Sequence, residues 1–333
     1  MVHSISVALC THNGARFIQE QVRSILEQSN PPQELVISDD ASRDDTLELA
    51  RAVHDRHRTV FGMPPVALKI LENPTAVGVS ANFERAIQAT SGDLVALSDQ
   101  DDLWRTDRLA VAHKEFQTRP NLDLLFGNAR LVDSAGIDLR RTLFDVLQLS
   151  AAAAERMHSG KGLALLIRRN LATGATVMFR RRLLAVASPF PPYWVHDEWL
   201  AIMAAATGQI DLTDEWLIDY RQHGSNVIGV TYPTLRRKVQ RTLEPRAGRT
   251  ERILRQFEQF AQRLEIVGET AVDGALDLAR GKVSFEARRN RLPAARLHRI
   301  RPILEAERCG EYSTFASQGR LDMLRDLLQS HSG

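Results

Sequence analysis

Cysteine is scarce in this chain of 333 residues. Cys10 and Cys309 are the only two, they lie far apart, and they form no metal-type spacing. A disulfide framework and a cysteine-based metal module are therefore not expected, and a reducing compartment is. Long hydrophobic runs are missing too. No stretch approaches the length needed to span a bilayer, and no apolar run follows a basic N-terminal start, so no signal peptide is expected. Neither G-x-G-x-x-G nor G-x-x-x-x-G-K-[ST] occurs after the first strand-like segment, where "THNGAR" stands instead. The dinucleotide-binding and P-loop readings lose their main support with it.

The composition is that of a globular protein, with 44% apolar and 25% charged residues. The net charge of +2 conceals an asymmetry. Residues 1–230 carry 23 Lys and Arg against 28 Asp and Glu, whereas residues 231–333 carry 20 against 13. An acidic front part thus joins a basic tail. In the front part, "SISVAL" alternates like a strand, and "ARFIQEQVRSILEQ" places Ile18, Val22, Ile25 and Leu26 at helical spacing. "ELVIS", "VALKIL" and "LVALS" read as three more strands. "DDTLELARAVHD" and "SANFERAIQAT" read as helices between them. Strands alternating with helices predict an α/β fold with a mostly parallel sheet covered on both faces.

Each strand runs out into a polar cluster at its C-terminal end. The first gives Cys10, Thr11, His12 and Asn13; the second, Asp39 and Asp40; the third, Glu72 and Asn73; the fourth, Asp99, Asp101 and Asp102. Open α/β sheets bind ligands beyond the carboxyl ends of their strands, so these clusters are expected on one rim. Carboxylates repel phosphate, and an Asp cluster facing phosphate requires a bridging cation. Hard oxygen donors suit Mg2+ or Mn2+.

The blocks "SVALCTHNGARFIQEQVRSILEQ", "ELVISDDASRDDT", "NPTAVGVSANFERAI" and "LVALSDQDDLW" together resemble glycosyltransferase family 2. The resemblance extends through "TGATVMFRRRLL", "HDEWLAIMAAATG" and "YRQHGSNVIG", and covers about residues 4–230. The last two blocks are similar to a rhamnosyltransferase-like branch of cell-surface polysaccharide synthesis. The resemblance implies a GT-A fold, a nucleoside-diphosphate sugar donor and inversion at the anomeric carbon. It implies a GT-A domain over residues 1–230, followed by a basic helical region over 231–333.

It also implies roles for particular residues. Asp99 and Asp101 match the family's D-x-D motif, with Asp101 a ligand of Mg2+ or Mn2+ and Asp99 near the ribose and the metal. Asp102 is open between capping the next helix and supporting the site. Asp40 matches the carboxylate that accepts from a nucleobase ring N–H, which fits uracil or thymine. Cys10, Thr11 and His12 are expected to wall the base and ribose, with Asn73 beside the nucleotide, while Gly78 reads as a turn residue with positive φ. Gly174 and Trp199 are expected at the substrate. Trp199 also lies on an apolar helix face with Ile202 and Met203. Asp197, where a helix begins, matches the catalytic base, and Glu198 is the alternative. Arg221 and Asn226 are expected on the diphosphate, and His223 on the metal.

The implied reaction moves a sugar from a UDP- or dTDP-sugar, dTDP-rhamnose among them, to a saccharide or lipid-linked acceptor. A sugar nucleotidylyltransferase and a non-catalytic nucleotide-sugar-binding protein are the alternatives. A cytoplasmic location is expected, with the inner face of the cell membrane as an option. Two readings are open for the tail: a basic amphipathic surface against an anionic membrane, or a helical cap with solvated Arg faces. No nucleic-acid-binding module is recognised.

Overall fold

A computed structural model describes residues 3–61, 66–223 and 247–329. These form two compact units by internal contact: Met1–Gly160 with Leu171–Ala204 and Gly208–Val230, and Lys161–Asn170 with Ala205–Thr207 and Thr231–Gly333.

The first unit begins with β1 (Ile5–Thr11), α1 (Ile18–Leu26), β2 (Glu34–Asp39), α2 (Thr46–Phe61), β3 (Ala67–Glu72), α3 (Val79–Gln88) and β4 (Leu94–Ser98). These seven elements follow the predicted order of strands and helices. Next come β5 (Leu103–Trp104), α4 (Arg108–Thr118), β6 (Leu122–Val132), β7 (Asp138–Thr142), α5 (Leu143–Leu147), α6 (Ala151–His158) and, in a segment that belongs to the second unit, α7 (Leu163–Leu166). The run closes with β8 (Met178–Arg180), α8 (Leu184–Ala187), α9 (His196–Thr207) and β9 (Gln209–Arg221). Among the described residues the strands form one sheet in the order β3-β2-β1-β4-β8-β6-β9-β5, with β7 on β6. The first four are parallel neighbours. β8 runs antiparallel to both β4 and β6, and β6 is parallel to β9.

All seven residues of β1 are buried, so the alternation seen in its sequence does not mark a solvent face. Ser6 is accommodated because its hydroxyl donates to Glu34 at 2.6 Å and accepts from the Gly92 amide at 2.8 Å. A buried polar group is tolerated when hydrogen-bonded in this way. α1 buries Ile18, Val22, Ile25 and Leu26, the stripe its spacing predicts. These side chains join Val7, Leu9, Leu35, Ile37 and Ala96 in the main core.

The second unit holds α10 (Ala247–Val267), α11 (Ala275–Asn290), α12 (Arg296–Arg308), α13 (Glu311–Phe315) and α14 (Arg320–Leu328). Phe285, Leu292, Ile303, Ala306, Tyr312 and Ala316 form its own apolar cluster. Beside it lies a buried charged network. Lys282 donates to Glu286 and to the Phe315 carbonyl, both at 2.7 Å. Arg289 grips Asp326 through two nitrogens, at 2.7 and 3.0 Å. Among the described residues no helix is long and apolar enough to cross a membrane.

Candidate active site

Parallel register brings the strand ends together. Thr11 lies opposite Asp39, Asp39 opposite Glu72, and Leu9 opposite Ser98. The four polar clusters therefore share the C-terminal rim of the sheet.

Two neighbouring aspartates on β2 and its exit do different work. Asp39 is buried and braces the loops, accepting from the Thr11 hydroxyl at 2.6 Å and from the Ser42 amide and hydroxyl at 2.8 and 2.6 Å. Asp40 is held by the loop after β3. Its carboxylate accepts from the amides of Val77 at 2.7 Å and Gly78 at 2.9 Å, and from Asn73 Nδ2 at 3.1 Å. Gly78 takes φ +88°, the left-handed turn expected of it. The Asn73 amide is buried between Asp40, Asn82 and Arg85, so it acts on the rim through the aspartate it holds. Thr11 likewise has its hydroxyl committed to Asp39. His12 is exposed and its ring is oriented, with Nδ1–H donating to the Asp40 carbonyl at 2.6 Å. Burial, followed by the charges of Asp99 and Asp40, pushes the Cys10 thiol well up, so it stands as a neutral group between them.

The acidic turn is locked from three sides. Gln100 clips it to the loop after β1, accepting from the His12 amide at 2.8 Å and donating to the His12 carbonyl at 3.1 Å. β5 follows Asp102 at once and pairs antiparallel with the end of β9, Leu103 opposite Asp219. That register carries Arg221 and His223 alongside Asp101. The result is a direct contact of His223 Nε2 with Asp101 Oδ2 at 2.7 Å. Phe17 stacks on the His223 ring, with centroids 5.0 Å apart. The Phe17 ring also carries the Arg221 guanidinium, 4.7 Å from its centroid.

Three expectations change here. Arg221 is buried, and its guanidinium is engaged by the protein. Nε donates to the Asp101 carbonyl at 2.9 Å, Nη1 to the Ser134 carbonyl at 3.3 Å and Nη2 to Glu20 at 2.8 Å. This is a clamp on the acidic turn rather than a fork open to a diphosphate. Asp102 caps no helix, because β5 comes next; it is buried and accepts from the Arg221 amide at 3.2 Å. Trp199 does not face substrate. It is fully buried, and its Nε1 donates to the Ala187 carbonyl at 2.7 Å, which makes it core. Asn226 lies outside the described residues.

Asp197 approaches the same corner from another element. β8 pairs with β4 so that Ala96 faces Met178, and this register leads the Gly174–Thr176 turn past the end of β4. The Gly174 amide donates to Asp197 Oδ2 at 2.9 Å, while Oδ1 accepts from the Glu198 amide at 2.7 Å. A side chain at Gly174 would meet His196 Nε2 at 2.9 Å and the Asp197 carboxylate at 3.5 Å, so this approach needs glycine. His196 is buried and stacked on Phe83 at 3.8 Å, and burial lowers its pKa despite the nearby Asp197 charge.

The electrostatics show how crowded the corner is. Burial, then the charges of Asp101 and Asp197, raise the Asp99 carboxyl to about 7, against the pull of Arg108. Asp102 is pushed well up by burial and by Asp101 and Asp99. The compensating cation is Arg108, folded back from α4 onto the Trp104 ring at 3.5 Å, with Nη2 donating to the Leu97 carbonyl at 3.0 Å. Burial lowers its own pKa to about 9 while Asp102 and Asp99 raise it. Asp102 Oδ2 and Arg108 Nη1 are buried without a hydrogen-bond partner among the described residues. Excess negative charge of this kind favours a cation. Among the described residues no three His, Cys, Asp or Glu side chains form a closed cage. A cation completed by substrate phosphates needs only one or two protein carboxylates, so the Asp101 carboxylate beside the His223 imidazole fits Mn2+ or Mg2+.

Gln100, Phe17, Glu20 and Arg108 were not singled out by motif. Phe17 stands just before α1 and Glu20 in its first turn, with no motif to mark either, and nothing in "RTDRL" shows that Arg108 folds back under the acidic turn.

The family pattern described as Glycosyl transferase family 2 matches residues 6–185. An uncharacterized glycosyltransferase of Nostoc sp. is 27% identical over 67% of this chain and 66% of its own, so the match spans just under two thirds of that relative. A dTDP-rhamnosyl transferase, RfbG, of Shigella flexneri is 27% identical over 66% of this chain and 73% of its own. Among solved structures, a mannosyltransferase of Pyrobaculum calidifontis, in complex with GDP-Man and Mn2+, superposes with TM-score 0.57 at 18% identity. That likeness covers 98% of this chain and 86% of the other. TarS 1–349 of S. aureus, in complex with UDP-GlcNAc, superposes at 0.53 with 17% identity, covering 98% and 90%. The fold is the GT-A fold of those enzymes.

Proposed function

Because the chain belongs to Glycosyl transferase family 2, we propose that it is an inverting, metal-dependent transferase. It moves a sugar from a pyrimidine nucleoside-diphosphate sugar to a hydroxyl of a saccharide or lipid-linked acceptor. One observation supports this reading: Asp197 is held by the Gly174 amide at 2.9 Å, in the turn that leads into β8, and β8 pairs with β4, the strand that ends in the D-x-D turn. That arrangement supports a base and a cation acting at one rim, as an attack on one side of C1 and departure of a diphosphate on the other require.

In this reading Asp40 accepts from the base N–H, with His12 and Cys10 beside it, and Asp99 faces the ribose. Asp101 and His223 hold Mg2+ or Mn2+, which when bound neutralises the leaving diphosphate as a Lewis acid. Asp197 takes the acceptor proton as the new bond forms, its carboxylate oriented by the Gly174 amide. Transfer belongs to residues 1–230, and residues 231–333 support it. The Shigella relative's name favours dTDP-rhamnose as donor. A Bacillus subtilis relative described as a putative teichuronic acid biosynthesis glycosyltransferase, 32% identical over 108 residues, favours cell-surface polysaccharide as the product.

A thermal-shift screen of UDP-, dTDP- and GDP-sugars with and without Mn2+ tests the reading, because a ligand of the native state raises its stability by mass action. Stabilisation by a pyrimidine nucleotide that depends on Mn2+ is expected. Selective stabilisation by GDP-sugars would remove the role given to Asp40.

A further inference from the structure

In the second unit, α12 and α14 each leave an apolar row outside, although Ile303 and Ala306 of α12 are buried and Met323 and Leu327 of α14 pack against the same cluster. In α14, Asp322, Arg325, Asp326 and Gln329 just beyond it are buried, while Leu321, Leu324 and Leu328 face solvent, the first two 58% and 54% exposed. In α12, Arg299 is buried and its guanidinium donates to four backbone carbonyls, of Pro293, Ala294, Asp326 and Gln329. Leu297 is 79% exposed, and Ile300 and Leu304 are exposed with it. Both apolar rows fall at i, i+3, i+7, one stripe of a helix. The helices lie side by side and antiparallel. Arg299, early in α12, reaches the end of α14, and Arg320 at the start of α14 pairs with Glu307 late in α12 at 3.2 Å.

A soluble helix ordinarily buries its apolar stripe. Here the inner faces combine Ile303, Ala306, Met323 and Leu327 with ion pairs, such as Arg325 with Asp322 at 3.0 Å and Asp326 with Arg289 and the Tyr312 hydroxyl, and a second apolar row on each helix is left outside. Scattered exposed leucines need no explanation, but two aligned rows on adjacent helices mark an interaction surface.

We propose that α12 and α14 form a docking surface for an anionic lipid bilayer. The charges around the leucines decide the occupant. Arg296, Arg301, Arg308 and Arg320 are exposed against Glu305 and Glu307, which pair with Arg301 and Arg320 at 2.8 and 3.2 Å, and both acidic residues of α14 are buried, so the rim keeps a net positive charge. A second copy of the chain, docked about a two-fold axis, brings the same patch against itself, and with it one arginine rim against another. Lipid phosphates complement that rim, arginine stems extend along apolar surface with their heads at the phosphates, and the leucines enter the acyl boundary. The surface gives a chemical reason for a lipid-linked acceptor, yet it does not depend on the transferase reading.

The test uses the full chain with vesicles of phosphatidylglycerol and phosphatidylcholine, against pure phosphatidylcholine. Binding to the anionic vesicles only, falling as salt rises, is expected. The quadruple variant Leu297→Gln, Ile300→Gln, Leu321→Gln, Leu324→Gln should lose at least about tenfold in vesicle affinity. These positions are exposed, so its circular dichroism and melting temperature should match those of the parent, and its transfer to a soluble acceptor should be unchanged. A variant that co-sediments like the parent overturns the proposal, since the basic tail is then binding by another route. Absence of vesicle binding by the parent overturns it too. So does dimerisation in analytical ultracentrifugation that the same substitutions abolish.

Discussion

Asp197 separates a chemical role from a structural one most sharply. Its carboxylate accepts one hydrogen bond from Gly174 and one from Glu198. Asparagine keeps the shape and one acceptor oxygen but cannot take a proton. Asp197→Asn should therefore lower sugar transfer by about 10²–10⁴-fold with nucleotide binding and melting temperature nearly unchanged, while Glu198→Gln should stay close to wild type. An active Asp197→Asn protein would show that the carboxylate merely braces the helix start. A second prediction concerns the cation. Asp101→Ala should abolish Mn2+-dependent UDP or dTDP binding, read by calorimetric titration, with the fold retained. Phe17→Leu should weaken it less, because the stacked ring orients His223 without touching the ion, and Phe17→Tyr should restore it. If Phe17→Leu binds Mn2+ and nucleotide like the parent, the stack has no orienting role.

At the scale of elements, the parallel strands β1 to β4 and the antiparallel returns of β8 and β5 do the positioning. The helical unit poses a different problem, a core built partly from charge. Burial pulls the Asp322 carboxyl up. Hydrogen bonds from the Gln318 amide and the Ser317 hydroxyl, with the charges of Arg289 and Arg325, outweigh burial and leave its pKa below the usual value. A carboxylate depressed in the folded state adds stability above its unfolded value of about 3.9, and that contribution is lost as pH falls through the lower folded value. Asp322→Asn should accordingly melt lower than wild type at pH 7, and the gap should close below about pH 4. A gap independent of pH in thermal melts would mean that Asp322 acts by packing alone. Lys282→Met makes a harder test of the same network. Glu286 keeps Arg289 as a partner at 3.0 Å, so the loss in denaturant unfolding is expected to fall below the about 3–5 kcal/mol of a stranded buried charge, and a loss of that full size would show that Arg289 does not compensate.

At the scale of the whole molecule, two units each hold an apolar cluster of their own, and the rim residues Asp40, Asp99, Asp101 and Asp197 all belong to the first. A ligand stabilises the part that binds it, by about 2.7 kcal/mol at a hundred times its dissociation constant. Calorimetric melts are therefore expected to resolve two transitions, with saturating nucleotide and Mn2+ raising one and leaving the other in place. A single transition that moves as a whole would show that the units unfold together.

The linear sequence determined by itself the order of strands and helices through β4, the core stripe of α1 and the gathering of polar residues at four strand ends. Those are local signals, carried by hydrophobic period and by where an apolar run stops. Tertiary structure alone decided which of the polar groups meet. The 2.7 Å approach of Asp101 to His223 arises because β5 pairs with β9 across more than a hundred residues of chain. The same pairing buries Arg221 as a clamp. Trp199 could be read as core or as substrate contact from its helix position, and only packing made it core. Arg108, His196 and the outward leucines of α14 were out of reach for one physical reason. Whether a side chain faces a core, a ligand or water depends on what the rest of the chain places opposite it, and no window of neighbouring residues contains that information.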